Sequence, residues 1–160
     1  MVPEYLRCPP AWFYSRILVG AGQSLTRTLV ANAKIGYVIN CASDDMCPDW
    51  WKTNFPSRYV CLNAIDSPHV SILDWYPAFE AALQRFLRMG SETVYIHCQA
   101  GMNRSGFLAL AYVCKHYHLP MEDVIVATRR QRYVLFRNPV FMNQVKHFIE
   151  NGRVSCEKNT

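Results

Sequence analysis

Apolar residues change their period several times along the chain, and each change marks an element. Tyr37-Val38-Ile39-Asn40-Cys41 and Val94-Tyr95-Ile96 are short, nearly continuous apolar runs, the pattern of buried central strands. Trp12–Gly20 and Arg58–Asn63 read as further β-rich segments, the first closing on a turn at Gly20 and Gly22. Elsewhere the period is helical. Ile72, Trp75, Tyr76, Phe79, Leu83, Phe86 and Leu87 recur at helical spacing over Ser71–Arg88, with Pro77 early enough to kink or delay the helix and Met89-Gly90 to end it. Phe107, Leu108, Leu110, Ala111, Val113 and Cys114 make a helix from about Arg104 to His118 apolar nearly all round, as a buried central helix should be. Pro120 breaks it. Two more helices are expected over about Glu122–Arg130 and Pro139–Glu150, and a short one from an N-cap at Ser24 to about Ala33. Residues 1–11 are proline-rich and aperiodic, which predicts an extended arm; Ala42–Ser57 is full of turn formers and predicts a long surface loop; residues 151–160 predict a flexible tail. Strands alternating with helices over 12–150 predict a three-layer α/β domain, with a mostly parallel central sheet flanked by helices.

Composition narrows the field. With 160 residues, 51% of them hydrophobic, the chain can bury one full core. It has no apolar run near the ~18 residues a membrane span needs, and its first residues lack the basic and apolar regions of a secretory signal. Seven cysteines, with no CxxC pair and no zinc-ligand spacing, predict free thiols in a reducing compartment rather than a disulfide framework. No metal and no cofactor is expected. A net charge of +5 suits phosphorylated or acidic substrates.

The stretch Val94–Gly106, VYIHCQAGMNRSG, carries the chemistry. It is a strand, a loop and the start of a helix, so several backbone N–H groups and the positive helix end converge on one concavity. Such a nest binds a tetrahedral dianion. Arg104 adds a planar fork that can pair with two phosphoryl oxygens. Cys98 opens the loop in the same positive field, which favours the thiolate, the nucleophilic form. Ser105 can donate to the sulfur when it leaves, a role compatible with capping the helix. The loop residues Gln99, Ala100, Gly101, Met102, Asn103 and Arg104 would surround the phosphoryl group, with His97 bracing them from below.

His97-Cys98 and Arg104-Ser105 at this spacing resemble the signature of the cysteine-dependent protein tyrosine phosphatase superfamily. Lys34–Ala42 (KIGYVINCA), Ile72–Leu83 (ILDWYPAFEAAL) and Asn138–Val145 (NPVFMNQV) extend the resemblance, and the short chain is similar to small dual-specificity phosphatases rather than to the larger tyrosine phosphatases. The loop is especially similar to that of poxvirus-type enzymes. The resemblance implies the phosphotyrosine protein phosphatase-like fold and hydrolysis of phosphotyrosine and phosphoserine or phosphothreonine through a cysteinyl-phosphate. It also implies a phosphorylated protein as substrate, no membrane or nucleic-acid partner, and a monomer in cytoplasm or nucleus (for a viral source, host cytoplasm or virion).

Hydrolysis also needs a proton donor for the departing oxygen. Among the loop carboxylates Asp44, Asp45, Asp49 and Asp66, Asp66 follows a strand end as Cys98 does, and its distance from Cys98 along the chain matches the general-acid loop of the resembling family. Asp44 and Asp45 are the reserves. The resemblance further implies that Asn138 bonds the phosphate loop, though an N-cap before Pro139 reads equally well. It puts Arg129, Arg130, Arg132 and Arg137 beside the pocket, as receivers of a second phosphate or as a solvated basic face. Cys41 ends a strand expected beside that of Cys98, and its context resembles the strand end that supplies a resolving cysteine in some relatives; Cys47 and Cys61 are weaker rivals. An RNA 5′-triphosphatase would be expected to lack Asp66, and a phosphoinositide phosphatase to carry lysines inside the loop. A non-catalytic phospho-binding module would be expected to lose Cys98, Arg104 or the acid.

Overall fold

The computed structural model describes the backbone of residues 1–158 and the side chains of residues 1–152. In chain order the elements are α1 (Glu4–Arg7), β1 (Ala11–Tyr14), β2 (Ile17–Ala21), α2 (Arg27–Ala33), β3 (Ile35–Asn40), α3 (Asp49–Asn54) and β4 (Tyr59–Cys61). Then follow α4 (Tyr76–Met89), β5 (Thr93–Cys98), α5 (Arg104–Tyr117), α6 (Met121–Gln131) and α7 (Pro139–Lys158). The strands form one sheet in the order β1-β2-β5-β3-β4, parallel except for β1 against β2.

The two strands read as continuous apolar runs, β3 and β5, are buried along their whole length at the centre. Side-chain alternation divides their residues between two cores. Ile17, Val19, Tyr37, Ile39, Cys41, Val94, Ile96 and Cys98 face α4–α7, while Leu18, Val38 and Tyr95 face the smaller core of α2 and α3. That is the expected three-layer fold. Pro77 lies in the first turn of α4, after a 3-10 turn at Ile72–Trp75, so the proline delays the helix and does not kink it.

Four local expectations are corrected. The first residues are not simply an extended arm: α1 forms there, and Ala11 opens a strand that makes a hairpin with β2. The cap of α2 is Thr26, whose hydroxyl accepts from Leu29 N at 3.1 Å; Ser24 belongs to a 3-10 turn before it. The stretch 42–57 holds α3, because Trp51 is 1% exposed and anchors the second core. Residues 151–158 of the expected tail continue α7, and residues 159–160 lie outside those described. Among the described residues no helix is long and apolar enough to cross a membrane.

Candidate active site

Both β5 and the β3–β4 pair run parallel, so their C-terminal ends deliver Cys98, Cys41 and the segment before Asp66 to one edge of the sheet. The loop leaving β5 turns back on itself at Gly101, in the left-handed region at φ +65°. A Cβ there would lie 2.3 Å from the Gly20 carbonyl carbon, so glycine is needed for the approach as well as for the turn. The turn aims the Gly101 N–H at Cys98 Sγ, 3.3 Å away, and the first turn of α5 puts Ser105 Oγ 3.2 Å from the same sulfur. Cys98 is 2% exposed at the base of a cavity of about 250 Å³, lined by Tyr5, Asp66, Gln99, Ala100, Met102, Asn103 and Arg104.

Arg104 Nη1 donates to the Ala64 carbonyl at 3.1 Å, which fixes the plane of the fork, and its buried Nε has no protein partner among the described residues. Ala64 is itself held, its N–H donating to the Cys41 carbonyl at 2.9 Å. Asp66, two residues on, is gripped by two amides: Asn103 Nδ2 donates at 2.9 Å and Asn138 Nδ2 at 3.1 Å. Asn103 Oδ1 in turn accepts the backbone N–H groups of Arg137 and Asn138, at 2.8 and 2.9 Å. Asn138 has two sets of contacts. It ties into the phosphate loop, and its Oδ1 caps α7 through Val140 N and Phe141 N. Asn103 lines the cavity, and its side chain also holds this network together.

His97 is fully buried, with Nδ1 3.1 Å from the Cys98 carbonyl oxygen, and burial lowers its pKa to about 4. A neutral ring under the loop is a brace. The reserve acids lie elsewhere. Asp44 is tied to Lys52 Nζ (2.8 Å) and to the Tyr59 hydroxyl (2.7 Å), contacts that lower its pKa, and Asp49 pairs with Lys52 at 3.4 Å. Asp45 lines a neighbouring hollow with Tyr5, Gln23, Met46 and Gln99. Cys41 follows the strand end next to that of Cys98: β3 and β5 pair Asn40 with His97, and Cys41 N donates to the His97 carbonyl at 2.7 Å. Burial, and next the charge of Cys98, push the Cys41 thiol well above its usual range.

The arginine cluster is not brought to the pocket. Arg129, Arg130 and Arg137 are exposed and do not line it, and Arg137 folds back on the carbonyls of Val134 and Tyr133. Arg132 is fully buried, so it cannot receive a second phosphate. Tyr5 is the pocket residue that the sequence did not reveal; an aperiodic, proline-rich segment carries no signal of where it will dock.

Residues 17–151 match the family described as dual specificity phosphatase, catalytic domain. A probable rhodanese domain-containing dual specificity protein phosphatase of Dictyostelium discoideum is 29% identical over 145 residues, 88% of this chain and 29% of the relative. The human serine/threonine/tyrosine-interacting protein is 25% identical over 112 residues, 69% of this chain and 50% of the relative. The chain thus spans half or less of the length of these curated relatives. A mouse putative dual specificity phosphatase, solved in complex with zinc tungstate, superposes with a TM-score of 0.77 at 18% identity, covering 97% of this chain and 92% of that one. Matched over well more than half of its length, the chain belongs to the dual specificity phosphatase family through its catalytic domain.

Proposed function

We propose that this chain hydrolyses phosphate esters of tyrosine, serine and threonine in proteins, through a cysteinyl-phosphate. The observation that carries the reading is the environment of one sulfur. Cys98 Sγ sits at the floor of the cavity with the Gly101 N–H and the Ser105 hydroxyl on it, beneath an arginine whose Nε is uncommitted. A phosphoryl group resting on the loop N–H groups and the Arg104 fork would present its phosphorus to the thiolate. The S–P bond forms as the ester P–O bond breaks, and Asp66 gives its proton to the leaving oxygen. Asp66 then takes a proton from water as that water attacks phosphorus; sulfur departs with its electron pair, stabilised by the Ser105 hydroxyl, and inorganic phosphate remains.

A protein substrate is supported by the shape around the pocket. A second hollow of about 430 Å³, lined by Ser43, Asn63, Ala64, Ile65, Asp66, Gln99 and Arg104, continues the first along the surface, room for residues flanking a phosphorylated side chain. The mouse relative's complex with zinc tungstate supports an oxyanion as ligand. Turnover of p-nitrophenyl phosphate and of phosphopeptides is the test. Wild type should turn over both. Cys98→Ser should lose hydrolysis yet keep binding phosphopeptide, and Arg104→Lys should lose both, since a point charge cannot replace the fork. Turnover above a few per cent in Cys98→Ser would sink the covalent route. Phosphopeptide binding by an inert wild type would mark a binding module.

A further inference from the structure

Arg132 is fully buried at the C-terminal end of α6, and among the described residues its side chain donates only to backbone carbonyls. Nε donates to the Gly101 carbonyl at 2.9 Å and Nη2 to that of Ala100 at 2.5 Å, both in the phosphate loop. The rest of the fork reaches the N-terminal segment: Nη2 to the Tyr5 carbonyl at 2.9 Å, Nη1 to those of Cys8 at 2.8 Å and Pro9 at 3.4 Å. Burying a guanidinium among carbonyls without a carboxylate is costly, and such a charge is held only where its donors are well satisfied. Here the satisfied donors join two segments far apart in sequence. The four-residue α1 is too short to persist by itself, so this clamp is what fixes it. Glu4 also lies beside Tyr133, raising that phenol to about 12. The docked Tyr5 lines both the phosphate cavity and the hollow of about 190 Å³ next to it.

We infer that the N-terminal segment is a working wall of the substrate pocket: Tyr5 is a specificity-determining residue that favours aryl phosphates, phosphotyrosine above all, and Arg132 is the positioning residue that holds it against the phosphate loop. This rests on the phosphatase reading above. An aromatic ring entering to bring its phosphate to Cys98 meets Tyr5 on one side of the cavity and Met102 among the other lining residues. The short side chain of phosphothreonine offers no ring to stack. Tyr5 should therefore act on binding of aryl esters and leave the chemical step alone, which depends on Cys98, Arg104 and Asp66.

The full chain is the material for the test, with p-nitrophenyl phosphate and with paired phosphotyrosine and phosphothreonine peptides of one sequence. In Tyr5→Ala, KM for the aryl substrates should rise about 3- to 10-fold, the worth of one aromatic contact, with kcat within about twofold and KM for the phosphothreonine peptide unchanged. Tyr5→Phe, which keeps the ring, should recover the aryl KM lost in Tyr5→Ala. Arg132→Lys should move the same KM ratio, lower kcat through the loosened loop, and speed hydrogen exchange at residues 4–8; the Tyr5 pair decides the matter if that variant does not fold. An unchanged aryl-to-alkyl KM ratio in Tyr5→Ala, or equal loss on both peptides, overturns the inference while the phosphatase reading stands. A wild type inert on every ester overturns both.

Discussion

At the scale of single residues, the site depends on how few groups are left free. Asp66 is held by two amides, and the same Asn103 that grips it is held by two backbone N–H groups from the turn before α7. The carboxylate is thereby indexed to the loop that carries Cys98, so the proposed proton donor and the proposed nucleophile keep a fixed relation. Asp66→Asn should lower kcat by about 10²–10⁴, the range for general acid–base catalysis. The loss should be greater for phosphothreonine peptide than for p-nitrophenyl phosphate, whose leaving group needs less help. A wild-type profile in Asp66→Asn, together with a defect in Asp45→Asn, would move the assignment to the neighbouring hollow. Asp44 is a poor rival, already engaged by Lys52 and Tyr59.

Two elements matter more than their residues suggest. The phosphate loop depends on the close passage of Gly101 over the Gly20–Ala21 backbone, where no side chain can fit. Gly101→Ala must displace the loop, and a misplacement of about 1 Å costs on the order of 10²-fold in rate. Kinetics and a thermal melt should report a fall in kcat/KM of that order with a lower Tm; unaltered kinetics would refute the argument. The second element is the pair of strand ends, β3 beside β5. Adjacent parallel strands lie about 4.8 Å apart, within reach of a disulfide's Cα spacing after a small shift. Peroxide should oxidise the Cys98 sulfur to the sulfenic acid, releasing water. Cys41 sulfur then attacks that sulfur, and a second water leaves as the disulfide forms. Burial holds Cys41 as a thiol, so capture should quicken as pH rises. Non-reducing peptide mapping after brief peroxide treatment should find a Cys41–Cys98 crosslink reversed by dithiothreitol. Equal recovery of activity in wild type and Cys41→Ser, with no crosslink, would leave Cys41 as packing.

For the whole molecule, the buried ring of His97 couples stability to pH. Its pKa is pushed down to about 4 in the fold, against about 6.5 in an unfolded chain. Between those values the unfolded chain takes up a proton that the native state refuses. Stability should therefore be insensitive to this group above pH about 6.5 and fall as the pH drops toward about 4, by up to about 3 kcal/mol. Thermal melts from pH 7 to 4.5 should show the decline in wild type and a flatter profile in His97→Asn, even if that variant is weaker at pH 7. A variant that keeps the full slope would assign the acid sensitivity to other groups.

The loop from Cys98 to Ser105 was legible in sequence because its chemistry is local. A nest at a strand–helix junction needs its glycine, arginine and thiol within a few residues of one another, and adjacent positions show that. The central strands and helices were legible because burial on one or both faces writes a period into the chain. Asp66 and Asn138 could be nominated, yet what joins them to Asn103 is a set of contacts between segments distant in the chain. α3 was hidden because turn-forming residues surround Trp51, and only the second core shows why that ring must go inside. Arg132 looked like one member of a basic cluster, and Tyr5 like part of an unstructured arm. Their roles were decided by tertiary structure alone, since a carbonyl acceptor belongs to every residue and leaves no mark in the sequence. Where the backbone is the partner, only the fold says which arginine is buried and which segment it holds.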